Sequence, residues 1–306
     1  MTDLPNRTGP FVATISLKLA DKLLIDLREQ GFNITVPIHT IFAAKKPGVS
    51  CTLYKSGKLT VQGKEMASFL EFYLEPQILG SCDFTYPNLN IDKSARIGID
   101  ESGKGDFFGP LCIAGVYAEG DDIPRLRTLG VRDSKLLSDH AILKVAKQIR
   151  DNYVHHIVKI NPLKYNELYL QFGNLNHLLA WGHATTIEQL VLKTHCRNVT
   201  IDQFAAEHVV ITALKRKKLE VVLTQRHRAE EDLVVAAASI LARETFLMGL
   251  EQLGKEFHTV LPKGASKATL ETGVKLVKNF GSDILAKVGK LHFKTLDAIL
   301  DHSQNF

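Results

Sequence analysis

Apolar and polar positions from Phe11 to about Leu79 predict a strand over Phe11 to Leu17 and an amphipathic helix over Leu19 to Gln30. Extended segments follow over Ser50 to Tyr54 and Leu59 to Gln62, joined by Lys55-Ser56-Gly57-Lys58, and a closing helix lies near Lys64 to Leu74. This is the pattern of a small α+β unit. The stretch from Gly80 to Ser94 has no periodicity and is rich in Pro, Asn, Asp and Ser, as linkers tend to be. Beyond it strands and helices alternate. Strands are predicted over Arg96 to Asp100, Leu111 to Ala118, Val154 to Ile160, Asn198 to Ile201 and Glu220 to Leu223; helices over Ser138 to Asn152, Asn174 to Thr194 and Leu233 to Phe257. Such alternation predicts an α/β unit, a sheet covered by helices. The expected organisation is an N-terminal unit over residues 1–80, a linker over 81–94 and a larger unit over 95–306.

Composition changes this picture little. At 306 residues, 45% hydrophobic and 23% charged, the chain has ordinary globular usage. The net charge of +5 suits a polyanionic partner without requiring one. Four cysteines, at 51, 82, 112 and 196, are too scattered for a C-x-x-C metal or redox motif and too few for a disulfide scaffold, which predicts free thiols and a cytoplasmic location. No run of about 18 apolar residues and no N-terminal apolar leader is seen, so neither membrane spanning nor secretion is expected.

The candidate chemistry is acidic. Asp100 and Glu101 end an apolar strand just before a glycine-rich turn, Asp202 ends a second strand, Val199-Thr-Ile201, and Glu230-Glu-Asp232 directly precedes a helix of small residues. Carboxylates at three element ends are what hard, oxygen-seeking Mg²⁺ requires, whereas His and Cys would favour zinc. Two such ions can activate water and stabilise the leaving oxygen in phosphoryl displacement.

Gly98 to Lys104 matches the first seven positions of a P-loop, but Gly105 stands where Ser or Thr must hold Mg²⁺, and two acids occupy the phosphate cradle. No nucleotide cofactor is expected. The same glycines let a backbone approach a sugar-phosphate chain, with Lys104 supplying charge.

Taken together, Asp100-Glu-Ser-Gly-Lys-Gly105, Phe108-Gly-Pro-Leu111, Asp133-Ser-Lys135, Ile201-Asp-Gln-Phe204 and Ala236-Ala-Ala-Ser-Ile240 resemble the ribonuclease HII/HIII family. Leu261-Pro-Lys-Gly-Ala-Ser266, Lys290-Leu-His-Phe-Lys-Thr295 and the extra N-terminal unit are similar to its bacterial HIII branch. The resemblance implies a ribonuclease H-like fold with a central mixed sheet flanked by helices, plus an N-terminal domain like the TATA-binding protein that holds substrate. It also implies an endonuclease acting on the RNA strand of RNA/DNA hybrids, using two Mg²⁺ ions, with Mn²⁺ as substitute, and leaving 5′-phosphate and 3′-hydroxyl ends. A monomer is expected.

The family's acids map onto Asp100, Glu101, Asp202 and Glu230, with Glu231 and Asp232 as alternatives because the spacing to the Ala-Ala-Ser helix is one residue short. Gly103, Lys104 and Gly105 correspond to the loop that contacts ribose 2′-hydroxyls, and Lys135 is assigned to phosphate binding. Residues 45 to 64 contain Lys45, Lys46, Lys55, Lys58 and Lys64 and no acid, which gives them to non-specific phosphate contact. His177 and His183, in a helix with Trp181, read as packing or polar-face residues. The alternative function is a nucleic-acid-binding module that kept the fold without catalysis.

Overall fold

The computed structural model describes residues 9–81, 84 and 91–304. Most of the expected linker, with Cys82, lies outside the described residues. The chain divides into two compact units, Met1–Ile91 and Asp92–Phe306.

The first unit is an antiparallel sheet with helices on one face. Strands β1 (Phe11–Thr14), β2 (Asn33–Thr35), β3 (Thr40–Lys46), β4 (Val49–Tyr54) and β5 (Lys58–Gln62) are ordered β1-β5-β4-β3-β2. Helix α1 (Ala20–Glu29) contributes buried Leu23 and Leu27, and α2 (Met66–Phe69) contributes Met66 and Phe69 to the core. The chain continues beyond α2 in π-helical form over Leu70–Leu79, past Pro76. Period-two burial along β4, with Val49, Cys51 and Leu53 inward, leaves the other side of the sheet open. The sequence pattern had not marked β2 and β3, and it ended the closing helix at Leu74.

The second unit holds a mixed sheet of β6 (Arg96–Ser102), β7 (Leu111–Ala118), β8 (His155–Ile160), β9 (Asn198–Asp202) and β10 (Val222–Arg226), ordered β10-β9-β6-β7-β8. The pairs β6/β9 and β9/β10 are parallel, and β7 is antiparallel to both β6 and β8. Helices α3 (Asp122–Thr128), α4 (Asp139–Asn152), α5 (Pro162–Phe172), α6 (Leu175–Thr194), α7 (Glu207–Arg216) and α8 (Leu233–Glu256) flank it, followed by α9 (Lys267–Phe280), α10 (Ile284–Val288) and α11 (Thr295–Gln304). Ser138 and Asn174 cap α4 and α6 by accepting backbone N–H bonds, which is why both helices start where polar residues meet the apolar rhythm.

Helix α8 lies against β6 and β7. Its approach is so close that a Cβ at Gly98 would stand 2.5 Å from the Val235 backbone nitrogen. By length and composition α8 is apolar enough to cross a membrane, although Arg243 and Glu244 interrupt it; 78% of its most apolar stretch is buried inside the protein. Its hydropathy is that of a core helix.

Candidate active site

Three parallel strands end on one side of the second sheet. β6 ends with Asp100, Glu101 and Ser102, β9 ends with Asp202 in register with Arg226 of β10, and a turn over Ala229–Glu231 follows β10. Ligands commonly bind at such carboxyl ends of parallel strands. Here a cleft of about 460 Å³ is lined by Asp100, Glu101, Asp202 and Glu230, with Gly103, Lys104, Gly105 and Lys135 on its walls. All four leading acid candidates, the glycine-lysine loop and Lys135 therefore share one cavity.

Strand geometry sends Asp100 and Glu101 to opposite faces. Asp100 meets the Ser239 hydroxyl of α8 and accepts the Glu101 backbone N–H at 2.8 Å. Glu101 reaches α6 on the other side, where its Oε2 lies 3.0 Å from His183 Nε2, while its Oε1 accepts from Lys104 Nζ at 2.7 Å. The two acids diverge electrostatically as a result. Burial raises the Asp100 carboxyl to about 7, helped by the charges of Glu101 and Asp202. Burial also acts upward on Glu101, but the His183 hydrogen bond and the Lys104 charge outweigh it and hold this carboxyl at about 2.

Asp202 accepts the Ala229 N–H at 3.1 Å, and Glu230 pairs with Lys135 at 3.3 Å. The three acids of the 230–232 cluster differ in what surrounds them. Asp232 is occupied as the N-cap of α8, accepting from Val234 at 2.8 Å, and forms ion pairs with buried Arg96 at 2.8 Å and with Arg226 at 3.2 Å. Glu231 is exposed and does not line the cleft. Glu230 is the member of the cluster that does.

As the side chains stand, no group of three or more Asp, Glu, His or Cys among the described residues converges closely enough to hold a metal ion. Each acid is satisfied separately by a cation or a donor, as repelling carboxylates in a half-buried cleft require. The donor set nonetheless fits a hard divalent cation. It is all oxygen, drawn from four carboxylates that line one cleft.

The loop after β6 is held by the distant C-terminal region. Wholly buried Lys290 donates to the carbonyls of Asp106 and Gly109, both at 2.8 Å, and burial pushes its ammonium down to about 8. Gly264 donates to Asp106 Oδ1 at 2.6 Å, and Phe107 donates to the Gly264 carbonyl at 3.0 Å. Gly103, at φ +91° and with Pro110 O only 2.3 Å from any added Cβ, is glycine for the fold's own reasons. A Cβ at Gly105 would meet nothing within 4 Å, so the protein itself does not require glycine there. Residue pattern had marked the 261–266 and 290–295 segments; burial of a lysine among them has no local signature.

In the first unit the five lysines separate. Lys45, Lys46 and Lys64 flank the β3–β4 and post-β5 turns, where Glu65 N donates to the Gly48 carbonyl, while Lys55 and Lys58 sit at the β4–β5 hairpin, at the other end of a six-residue strand. About 20 Å divides the groups at strand rise. Between them runs the open face. Asn33, Lys45, Ser50 and Gln62 stand in cross-strand register, beside a second row of Thr35, Ala43, Thr52, Thr60 and Val12. Neither row carries an acid. The sequence reading had the lysines but not this hydroxyl-rich face.

A carboxylate-lined cleft at the strand ends of this mixed sheet, walled by a glycine-lysine loop, defines a phosphodiester-cleaving enzyme of ribonuclease H architecture. The family model for ribonuclease HII matches residues 97–296, and a domain of unknown function (DUF3378) matches residues 10–82. The chain is 62% identical over 300 residues to ribonuclease HIII of Protochlamydia amoebophila (strain UWE25), covering 98% of each chain. It is 48% identical to ribonuclease HIII of Chlamydia felis (strain Fe/C-56), covering 95% of this chain and 98% of the relative. Among solved structures it is similar to Bst-RNase HIII in complex with Mn²⁺, at 27% identity and TM-score 0.69, covering 97% of this chain and all of the other. It is also similar to Aquifex aeolicus RNase H3, at 28% identity and TM-score 0.56, covering 93% of this chain and all of the other. The chain belongs to the ribonuclease HII/HIII family and is a ribonuclease H.

Proposed function

We propose that the protein hydrolyses the RNA strand of RNA/DNA hybrids with divalent ions, two per site when substrate is bound, leaving 5′-phosphate and 3′-hydroxyl ends. The observation that carries this reading is the gathering of Asp100, Glu101, Asp202 and Glu230 in one cleft with Gly103, Lys104, Gly105 and Lys135. The four acids would hold Mg²⁺ or Mn²⁺, and the Mn²⁺ complex of the Bst relative supports such a cation here. When bound, such ions supply an activated water and charge stabilisation at the leaving 3′-oxygen.

The protein's own residues do the rest. Lys104 and Lys135, each paired with an acid, and Arg243 beside them are cleft cations that could take substrate phosphates. The open backbone at Gly105 is free for a ribose 2′-hydroxyl, the group that separates RNA from DNA. The acid-free face of the first unit would hold the duplex through its phosphates and sugars without sequence choice. The test is a strand-labelled hybrid beside a DNA duplex of the same sequence, with Mg²⁺ and Mn²⁺ titrated separately. Cuts confined to the RNA strand, with 5′-phosphate ends, are expected. Binding without cutting at every metal concentration would leave a noncatalytic module in its place.

A further inference from the structure

We infer that His183 is a positioning residue for Glu101, fixing one carboxylate oxygen so that the other is free to turn to a cation; this rests on the proposed place of Glu101 among the ion-holding acids. His183 is wholly buried on α6, with Nε2 3.0 Å from Glu101 Oε2. The Phe204 ring, centred 4.6 Å away, braces the imidazole. Its other nitrogen, Nδ1, is buried and has no hydrogen-bond partner among the described residues.

Packing does not explain this residue. A leucine would fill the space without leaving a buried nitrogen unpaired, and core positions avoid such atoms because their lost hydration is not recovered. Among the described residues, the ring's polar partner is Glu101. The two oxygens of that carboxylate are held very differently. Oε1 is bound by Lys104, whose side chain is 48% exposed and exchanges readily with water or phosphate, whereas the ring at Oε2 has no exposure. Metal-binding carboxylates are commonly oriented by such a second partner. Phe204 lies two residues after Asp202, so the packing that seats His183 also ties down the chain leaving a second acid of the cleft.

The test is Mn²⁺ titration of the full chain by calorimetry, beside kcat and KM on labelled hybrid. His183→Leu is expected to weaken Mn²⁺ binding and lower kcat by about 10- to 100-fold, with KM for hybrid changed by less than about twofold. His183→Gln, which keeps an N–H donor, should recover most of both losses. In a Glu101→Gln background, His183→Leu should cost nothing further, because the two act as one unit. If His183→Leu does not fold, His183→Asn, whose amide is shorter, takes its place in that cycle. Additive losses in the cycle, or unchanged Mn²⁺ affinity and kcat in the His183 variant, overturn the role of His183. Unchanged Mn²⁺ binding and turnover in Glu101→Gln alone would take down the assignment of the acids with it.

Discussion

The open face of the first sheet and the cleft of the second present opposite chemistry. One is hydroxyls, amides and lysines with no acid; the other is lined by six carboxylates and pairs Glu101 and Glu230 with lysines. Holding a nucleic acid needs only the first kind of surface. Carboxylates repel phosphate, and gathering them where a phosphodiester is to be met is useful only with cations between. On the proposed function, retention and cleavage fall to separate units, so each should be open to damage alone.

The sharpest way to break the comparison is at the strand ends. Asp100→Asn and Asp202→Asn should each lower hybrid cleavage by about 10³-fold or more while leaving hybrid binding nearly intact; turnover retained in either would defeat the assignment. Asp100→Asn should also stabilise the protein. The folded carboxyl sits at about 7, above its unfolded value, so the folded state pays for ionisation as pH rises between those values. Without divalent ions, the variant's gain should be present above about pH 7 and vanish below about pH 4 in thermal unfolding.

Within the acidic cluster the expected effects separate cleanly. Glu230→Gln should reduce cleavage by about 100-fold with little change in stability. Asp232→Asn should do the reverse, costing about 2 kcal/mol through its lost pairs with Arg96 and Arg226 while Asn keeps the cap, and leave activity per folded molecule within a few-fold. Denaturant unfolding beside initial rates decides it, and a stable, inactive Asp232→Asn would exchange the two roles.

The smallest effect belongs to the first unit. Deleting residues 1–80 should raise KM and flatten its salt dependence more than it lowers kcat. Replacing Lys45, Lys46 and Lys64 together, or Lys55 and Lys58 together, should each remove part of that salt slope. An unchanged KM after the deletion would contradict a holding role.

Much of this arrangement was legible along the chain. The run Leu111–Ala118 is apolar enough to mark a central strand, and Ser138 and Asn174 announce their helices. The acids could be read because each ends an element. Strand β3 and helices α5, α7, α9 and α11 are long enough to show a period and still went unmarked; the rest of what escaped was non-local or short. β2 has three residues, and the π-helical turn carries chain past Pro76 where an α-helix would stop. His183 meets Glu101 across 82 residues, and no spacing rule encodes such a contact. Lys290 reads as a solvated cation until the loop carbonyls that surround it are known.

Helix α8 has a consequence for how the protein is made. It is hydrophobic enough to be mistaken for a membrane span, yet β6, β7, α3 and α4, against which it packs, all precede it in the chain. During synthesis those partners leave the ribosome first, so the stickiest segment emerges onto surfaces already made to receive it. A rearranged chain that placed α8 ahead of its sheet would keep every native contact and still invite aggregation.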